Sequence, residues 1–272
     1  MDAGGPLDGV LSPPTGLPAS RPTGLPASRP TGLHPDPPAG RADGRAPLVI
    51  CCDGVAASLA ATADVADHLN RMGLATYRFT FRGRWPGGDM TDASLLTEVV
   101  DLDAVVDAAR AGAASGEGPW AATDPERLVL LGQSQGGAVV LLAAARRPEL
   151  FAAVVAWHPA LSIVDDLHRG LGSLDRVGET FAWMGQTLGR RYAADVWDLD
   201  IDAEIAGYTG PALIVHGTAD SLVPVSYGRR AAQVLPHARF VPIPDAGHGF
   251  QREELEAALA ATDDHLRRVG VL

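Results

Sequence analysis

Apolar runs alternate with amphipathic stretches along residues 46 to 272. Short apolar runs of strand length predict six β-strands, at Leu48 to Cys52, Thr76 to Phe81, Leu128 to Leu131, Ala152 to Trp157, Ala212 to His216 and Arg239 to Ile243. Apolar residues at helical spacing predict helices near 58–71, 95–111, 136–146, 226–234 and 251–268. Because nearly continuous apolar strands need cover on both faces, the pattern predicts an α/β domain with a mostly parallel sheet between helices.

Two segments interrupt this alternation. Residues 161–208 contain no clear strand pattern and collect Phe181, Trp183, Met184, Tyr192 and Trp197. An insertion of this length after a strand predicts a small helical lid. Residues 1–45 are rich in Pro, Gly, Ala and Ser, and the octad of residues 15–22 is repeated at 23–30. This tail has too few large apolar residues to offset the entropy of ordering, so we expect it to be flexible, and residues 46–272 to form one domain.

Composition and charge narrow the classes of partner. The formal net charge of −11 and the pI near 5.1 leave no basic surface for a nucleic-acid backbone. Cys51 and Cys52 are adjacent in a predicted strand and face opposite sides of it, so we expect two buried thiols without a disulfide. The N-terminus lacks the features of a signal peptide, and no apolar stretch is long enough to cross a bilayer. These features predict a cytoplasmic protein without a membrane partner.

The third predicted strand leads into a turn that contains Ser134. The turn reads Gly132-Gln133-Ser134-Gln135-Gly136, and an apolar helix follows it. A Gly-x-Ser-x-Gly turn between a strand and a helix is typical of a nucleophile elbow, in which a strained corner exposes the serine oxygen. Glycines on both sides of the serine avoid collisions with the neighbouring strand and helix. The pattern indicates acyl transfer at Ser134; a glycine-rich turn with a bystander serine is the alternative.

Two later strand ends carry the groups that would activate such a serine. A serine hydroxyl needs a base to accept its proton and an acid to orient that base. Asp220 lies on the turn after the fifth predicted strand, and His248 follows the sixth between two glycines. The order Ser134, Asp220, His248 matches the chain order of a known triad arrangement. Since carboxyl ends of parallel strands meet at one sheet edge, we expect the three side chains to converge there.

Other polar residues near these strand ends receive different interpretations. Asp245 is a rival carboxylate, but its place on the same short loop as His248 favours a role in shaping the turn. His216 closes an apolar strand and is interpreted as a packed, hydrogen-bonded residue. His158 follows the fourth strand and has no assigned partner. No pair of His or Cys has ligand spacing on one element, so the sequence predicts neither a metal nor a cofactor.

A tetrahedral intermediate at Ser134 would also need two N–H donors for its oxyanion. The backbone N–H of Gln135, directly after the serine and at a helix N-terminus, is the first candidate. The loop after the first predicted strand reads Asp53-Gly54-Val55-Ala56, and the backbone N–H of Val55 is the second candidate.

With these motifs, residues 47–269 resemble the α/β-hydrolase superfamily, and within it the small bacterial esterases that include the cinnamoyl and feruloyl esterases. The resemblance implies the α/β-hydrolase fold, a Ser134, Asp220 and His248 triad, and an oxyanion hole formed by Val55 and Gln135. The matching segments are Gly132-Gln133-Ser134-Gln135-Gly136-Gly137, Phe79-Thr80-Phe81-Arg82-Gly83, His216-Gly217-Thr218-Ala219-Asp220 with Val223-Pro224, Gly247-His248-Gly249-Phe250, and Tyr192 to Tyr208 at the end of the lid.

The chain departs from that family at three places. The oxyanion loop begins Asp53-Gly54 where the family usually has His-Gly, and a carboxylate beside a developing oxyanion opposes it unless it is paired or turned away. The family's Arg-Gly-His-Gly turn reads Arg82-Gly83-Arg84-Trp85 here. The family also has a pair of strands ahead of Leu48, where this chain has the repeat tail, so we expect a sheet short by one or two strands.

These observations favour a monomeric or homodimeric serine hydrolase that cleaves small-molecule carboxylic esters through an acyl-enzyme. A peptidase or amidase of the prolyl-oligopeptidase type is a second hypothesis, because its catalytic domain also carries a His-Gly-x-x-Asp-x-x-Val-Pro stretch; the lack of a propeller-sized N-terminal segment counts against it. A third hypothesis, motivated by Asp53 and the missing strands, is a non-catalytic binding protein that kept the fold. The aromatic lid suggests an apolar acyl or aryl group.

Overall fold

The computed structural model describes residues 9–15, 44–55, 57, 59–84 and 88–272. Seven strands form one sheet and two form a separate hairpin. The strands are β1 (Gly9–Ser12), β2 (Ala46–Cys52), β3 (Ala75–Phe79), β4 (Thr123–Gln133), β5 (Ala153–Trp157), β6 (Thr180–Trp183), β7 (Gln186–Gly189), β8 (Ala212–Gly217) and β9 (Ala238–Ile243). The α-helices are α1 (Ala63–Arg71), α2 (Leu95–Ser115), α3 (Gln135–Arg146), α4 (Ile163–Leu171), α5 (Arg190–Ala194), α6 (Ile201–Ile205), α7 (Val225–Val234) and α8 (Glu253–Arg268).

The large sheet has the strand order β1-β3-β2-β4-β5-β8-β9. All neighbouring pairs are parallel except β1 with β3. The six predicted strands and five predicted helices are all present, so the expected α/β fold with a mostly parallel sheet is confirmed. Because the six strands β2 to β9 of this sheet run the same way, the loops that follow them all emerge at one edge.

The two faces of the sheet bury separate apolar layers. On one face the sheet packs against α2 and α3, and on the other against α1 and α8. Strand β2 shows the division, since Cys52 belongs to the first layer and Cys51 to the second. Both cysteines are buried and free, as the sequence predicts. Within the described ranges, no helix combines the length and apolar composition needed to span a bilayer.

The segment 161–208 differs from the helical insertion expected from the sequence. It contains α4, α5 and α6, but also the antiparallel hairpin of β6 and β7, so the expectation that it lacks strands is wrong. Trp183 pairs with Gln186, which leaves a two-residue turn at Met184 and Gly185, both with positive φ. Such a turn suits a hairpin, but methionine is an unusual residue at its first position. The sequence therefore lacks the usual turn signal.

The N-terminal region also differs in part from its prediction. Gly9–Ser12 lies inside the segment expected to be flexible, yet it forms the edge strand β1 against β3. Side-chain and backbone bonds hold it, because Asn70 Nδ2 donates to the Ser12 carbonyl at 3.2 Å and the Thr15 amide donates to the Asn70 carbonyl at 3.0 Å. The sheet therefore contains one strand, β1, ahead of β2, whereas the sequence predicts that one or two leading strands are missing. Apart from Thr15, the octad repeat lies outside the described residues.

Candidate active site

Three of the predicted side chains meet at the carboxyl edge of the sheet. Ser134 follows β4 directly, Asp220 lies in the loop after β8, and His248 lies in the loop after β9. His248 Nε2 is 2.9 Å from Ser134 Oγ, and His248 Nδ1 is 2.8 Å from Asp220 Oδ2. With a proton on Nδ1, the imidazole donates to the carboxylate and leaves Nε2 free to accept from the serine hydroxyl. The geometry is that of a hydroxyl placed for deprotonation.

The backbone at Ser134 is strained in the way a nucleophile elbow requires. Ser134 has φ +55° and ψ −121°, a conformation that side-chain-bearing residues rarely adopt. Gly132 is needed for the tight turn, because a Cβ there would lie 2.2 Å from the Gly136 carbonyl oxygen. The Ser134 amide donates to the Trp157 carbonyl at 3.0 Å, which ties the corner to β5. The local sequence therefore fixes the position of the hydroxyl.

Asp220 is held by several donors at once. Its Oδ1 accepts from the Leu222 and Val223 amides, both at 2.9 Å, while Oδ2 faces His248 and lies 3.3 Å from His216 Nε2. Burial raises the pKa of the Asp220 carboxyl, but the hydrogen bonds from the two histidines and the Val223 amide outweigh it and hold the pKa well below its usual range. Asp220 is therefore an ionised, fixed partner for His248.

The rival polar residues occupy different settings. Asp245 is exposed on a turn, with φ +56°, and its amide donates to Thr218 Oγ1 at 2.8 Å. His216 is fully buried, and its Nε2 donates to the Val223 carbonyl at 2.9 Å, so its interpretation as a packed, hydrogen-bonded residue is confirmed.

His158 lies against the imidazole of His248. The two ring centres are 4.5 Å apart in an edge-to-face arrangement, and Phe250 covers His158 from another side at 5.0 Å. Burial is the largest cause of a shift that lowers the pKa of His158 to about 3, and the neighbouring His248 and His216 contribute to the same shift. His158 is therefore neutral at ordinary pH and forms a non-ionising wall beside His248.

The two predicted oxyanion donors lie on the other side of Ser134. Gln135 begins α3, so its backbone N–H lies at the positive end of that helix. Gly54 approaches the serine closely, since a Cβ on it would lie 3.0 Å from Ser134 Cβ. Val55 and Gln135 both line the cavity that contains Ser134. The structure thus brings both candidate segments to the nucleophile.

Asp53, the unusual residue of the oxyanion loop, is paired with Arg84. The two side chains are 2 % and 1 % exposed, and Arg84 Nη1 is 3.4 Å from Asp53 Oδ1. Arg84 also forms an ion pair with the fully buried Glu98, at the start of α2. Burial raises the pKa of both carboxyls, while the attraction of Arg84 opposes that rise. Asp53 therefore has a cationic partner at Oδ1, while its buried Oδ2 has no hydrogen-bond partner among the described residues.

Sequence reasoning assigned no role to Arg84, Glu98 or Tyr192 in this region. Glu98 Oε2 accepts from Gln135 Nε2 at 2.8 Å, and Gln135 Oε1 accepts from the Tyr192 hydroxyl at 2.5 Å. One signal was available in the sequence, because Arg84 and Asp53 each occupy a position where the resembled family has histidine. Nothing in the sequence shows, however, that these two positions are in contact.

A cavity of about 390 Å³ opens beside Ser134. Its walls are mainly apolar and come from the loop after β2, from α4, from the β6–β7 hairpin and from the loop after β8. The lining residues are Val55, Ser134, Gln135, Ala160, Ile163, Asp166, Arg169, Gly170, Trp183, Met184, Tyr192, Leu222 and Val223. The volume fits a small organic group next to the serine. The described residues contain no cluster of His, Cys, Asp and Glu that could hold a metal ion.

Comparison with known families matches most of the domain that contains this site. The model of the prolyl oligopeptidase family matches residues 91–265, which include Ser134, Asp220 and His248. The chain belongs to the prolyl oligopeptidase family. Together with its mostly parallel seven-stranded sheet, this membership makes the protein an α/β-hydrolase in fold.

One protein sequence and two solved structures illustrate what the chain is similar to. An uncharacterised protein of Mycobacterium tuberculosis is 28 % identical over 206 residues, covering 75 % of this chain and 64 % of the relative, so the chain spans less than two thirds of that relative. Est1E from Butyrivibrio proteoclasticus, solved with ferulic acid bound, is 23 % identical with a TM-score of 0.77, covering 97 % of this chain and 95 % of Est1E. Mouse alpha/beta hydrolase domain-containing protein 10 is 17 % identical with a TM-score of 0.65, covering 84 % and 92 %. These structures share the fold.

Proposed function

We propose that the protein cleaves carboxylic esters through an acyl-enzyme on Ser134. The observation that carries this proposal is the hydrogen-bonded series from Ser134 Oγ through His248 to Asp220. His248 removes the hydroxyl proton as Ser134 attacks the ester carbonyl, and then gives that proton to the departing alcohol. Water, activated by the same imidazole, releases the acid and regenerates the serine.

The transition state needs a place for its developing negative charge. In this proposal the backbone N–H groups of Val55 and Gln135 hold the oxyanion, and the helix dipole of α3 adds to the attraction. Asp220 remains ionised and stabilises the imidazolium that forms on His248. His158 stays neutral beside it, so no second positive charge opposes that step.

The cavity supports an ester with an apolar acyl or aryl group. Ile163, Trp183 and Met184 contribute apolar side chains to the cavity that Ser134 lines, and Asp166 and Arg169, which pair with each other, contribute polar ones. Est1E is described with ferulic acid bound, and the likeness to it supports an ester of an aromatic acid as one substrate to test. We propose that the segment 161–208, which contains these lining residues, acts as the lid.

Peptidase or amidase activity is the second candidate, and membership of the prolyl oligopeptidase family favours it. The catalytic groups would be the same, since amides and esters share the tetrahedral intermediate. The hypothesis of a non-catalytic binding protein was motivated by Asp53 and by the missing leading strands. The contact of Asp53 with Arg84 and the presence of β1 weaken both arguments in its favour.

A substrate panel tests this proposal. The purified full chain is assayed with p-nitrophenyl esters of short aliphatic and aromatic acids and with p-nitroanilides of amino acids. We expect turnover of esters above that of anilides, and loss of that turnover in Ser134→Ala. Ser221→Ala is the matched control, because Ser221 is exposed and lies beside Asp220 without bonding to His248. Preferred turnover of anilides would select the peptidase, and a folded protein inactive on both classes would contradict the proposal.

A further inference from the structure

Arg84 is the centre of a buried network that touches both candidate halves of the oxyanion hole. Its guanidinium pairs with Glu98 and Asp53, and all three side chains are at most 2 % exposed. The three residues come from different segments: the loop after β2, the turn after β3 and the first turn of α2. A single buried cation thus joins three segments of the chain.

On one side the guanidinium bonds to the peptide unit that contains the Val55 N–H. Arg84 Nη1 donates to the Gly54 carbonyl oxygen at 2.6 Å. The Gly54 carbonyl and the Val55 N–H belong to one trans peptide, in which the two groups point in opposite directions. Because Arg84 holds the carbonyl, the Val55 N–H must face away from Arg84, and Val55 lines the cavity with Ser134. A charge-assisted bond to the carbonyl also polarises the peptide and strengthens its N–H as a donor.

On the other side the network reaches Gln135. Arg84 Nη2 pairs with Glu98, and the second oxygen of Glu98 accepts from Gln135 Nε2 at 2.8 Å. The Tyr192 hydroxyl donates to the other polar atom of the Gln135 side chain, Oε1, at 2.5 Å. The side chain of the residue that supplies the other oxyanion donor is therefore fixed at both of its polar atoms.

We propose that Arg84 is a positioning residue that orients the Val55 and Gln135 N–H groups for the oxyanion. This inference rests on the proposed hydrolytic function of Ser134. Stability alone is a weak reason for such a network, since a buried ion pair is often replaced by apolar residues without loss of stability. A fixed pair of donors, by contrast, acts directly on the barrier of the reaction.

The network also explains why two departures from the resembled family occur together. Asp53 replaces the histidine of the His-Gly loop, and Arg84 replaces the histidine of the Arg-Gly-His-Gly turn. The two substituted positions are in contact, at 3.4 Å between Arg84 Nη1 and Asp53 Oδ1. Arg84, which Asp53 shares with Glu98, attracts the carboxylate that would otherwise oppose the oxyanion, so the two substituted positions act together.

Two variants of Arg84 test the proposal, with a neighbouring arginine as control. Arg84→Met keeps an unbranched stem and removes the charge and the donors, while Arg84→Lys keeps the charge but cannot make all the guanidinium bonds. Arg82→Lys changes a partly exposed arginine that pairs with Asp101, away from Val55 and Gln135. Active sites are counted by end-point titration with a fluorophosphonate, so that kcat for a p-nitrophenyl ester refers only to folded, reactive protein.

We expect kcat per titrated site to fall about 100-fold in Arg84→Met and about 10-fold in Arg84→Lys, with KM changed by less than about threefold. The inhibition constant of phenylboronic acid, whose tetrahedral adduct places an oxygen in the oxyanion hole, should rise with the loss in kcat/KM. Arg82→Lys should match the wild type. A purely structural role would lower the number of titrated sites and leave kcat per site unchanged.

Three outcomes overturn the inference. The first is a kcat per site within about twofold of wild type in both Arg84 variants. The second is an unchanged boronic acid affinity despite a lower kcat. If Arg84→Met does not fold, Arg84→Lys alone decides, and wild-type kcat in that variant counts against the proposal. Inactivity of the wild type itself would instead contradict the proposed function, which separates the two failures.

Discussion

Ser134 lies between two polar regions of opposite construction. On one side, His248 and Asp220 form a pair in which the histidine is partly exposed and the aspartate is bound by backbone amides of its own loop. On the other side, Asp53, Arg84 and Glu98 form a fully buried charge network from three separate segments. The first region can move a proton, because His248 is partly exposed and its Nε2 lies 2.9 Å from Ser134 Oγ. The second is enclosed, so it can only hold charge and geometry in place.

The two regions differ in what positions their residues: the Asp220 region depends largely on local sequence, and the Arg84 region depends on the fold. Two of the four partners of the Asp220 carboxylate, the Leu222 and Val223 amides, lie in its own loop, and a turn signal after a strand is enough to predict the carboxylate. The partners of Arg84 lie up to 31 residues away in the chain. A change in that network acts on the geometry of the N–H donors and leaves the base untouched, whereas a change on the histidine side removes the base.

The largest effect is expected on the histidine side. His248→Ala removes the only side chain within hydrogen-bonding distance of Ser134 Oγ among the described residues. By analogy with other serine hydrolases, kcat for an ester should fall by about 10⁵ to 10⁶. Steady-state assays at high enzyme concentration measure this change, and His237→Ala, at a histidine away from the site, is the control. A loss of less than about 100-fold would show that His248 is not the base.

The second-largest effect on kcat distinguishes Asp220 from Asp245 as the carboxylate that orients His248. Asp220→Asn should reduce kcat by about 10⁴, because an amide cannot hold the imidazole in the tautomer that accepts the serine proton. Asp245→Asn should retain wild-type kcat, since Asp245 is exposed and bonds only through its backbone to Thr218. Parallel kcat measurements of the two variants decide the assignment. The reverse ranking would transfer the acid role to Asp245.

The histidine side should also make the fold sensitive to acid. His158 has a pKa of about 3 when folded and about 6.5 when unfolded, so below pH 6.5 the unfolded chain binds a proton that the folded chain does not. Stability should therefore fall as the pH falls, by about 2 kcal/mol at pH 5 from this residue alone. Urea unfolding at pH 8 and pH 5 measures the effect, and His158→Asn should lose about 2 kcal/mol less than the wild type over that range. Equal losses would contradict the buried, neutral state of His158.

The smallest effect is expected from Asp53→Asn, in contrast to the same change at Asp220. Arg84 would keep its bonds to Glu98 and to the Gly54 carbonyl, so both N–H donors should stay in place. We expect kcat to fall by less than about tenfold. The free energy of unfolding should be unchanged or higher, since burial raises the pKa of the carboxyl that is replaced. A loss as large as that of Asp220→Asn would remove the distinction between the two regions.

The sequence predicts the parts of the molecule that rest on local patterns. All six predicted strands and the positions of Ser134, Asp220 and His248 at one sheet edge follow from apolar runs and the turns after them. The hairpin of β6 and β7 escapes prediction because methionine occupies a turn position with positive φ. Strand β1 escapes because its stability comes from Asn70 and β3 rather than from its own four residues. The Arg84 network escapes because only the folded chain brings its three segments together.

Covalent labelling tests most directly whether Ser134 is the nucleophile. Full-length protein is treated with a fluorophosphonate and digested with trypsin, and the peptides are weighed by mass spectrometry. The chain has no lysine, so cleavage after Arg127 and Arg146 gives a peptide in which Ser134 is the only hydroxyl-bearing residue. We expect a phosphonyl adduct on this peptide in the wild type and none in Ser134→Ala. An unlabelled peptide from folded protein, or an adduct on another peptide, would contradict it.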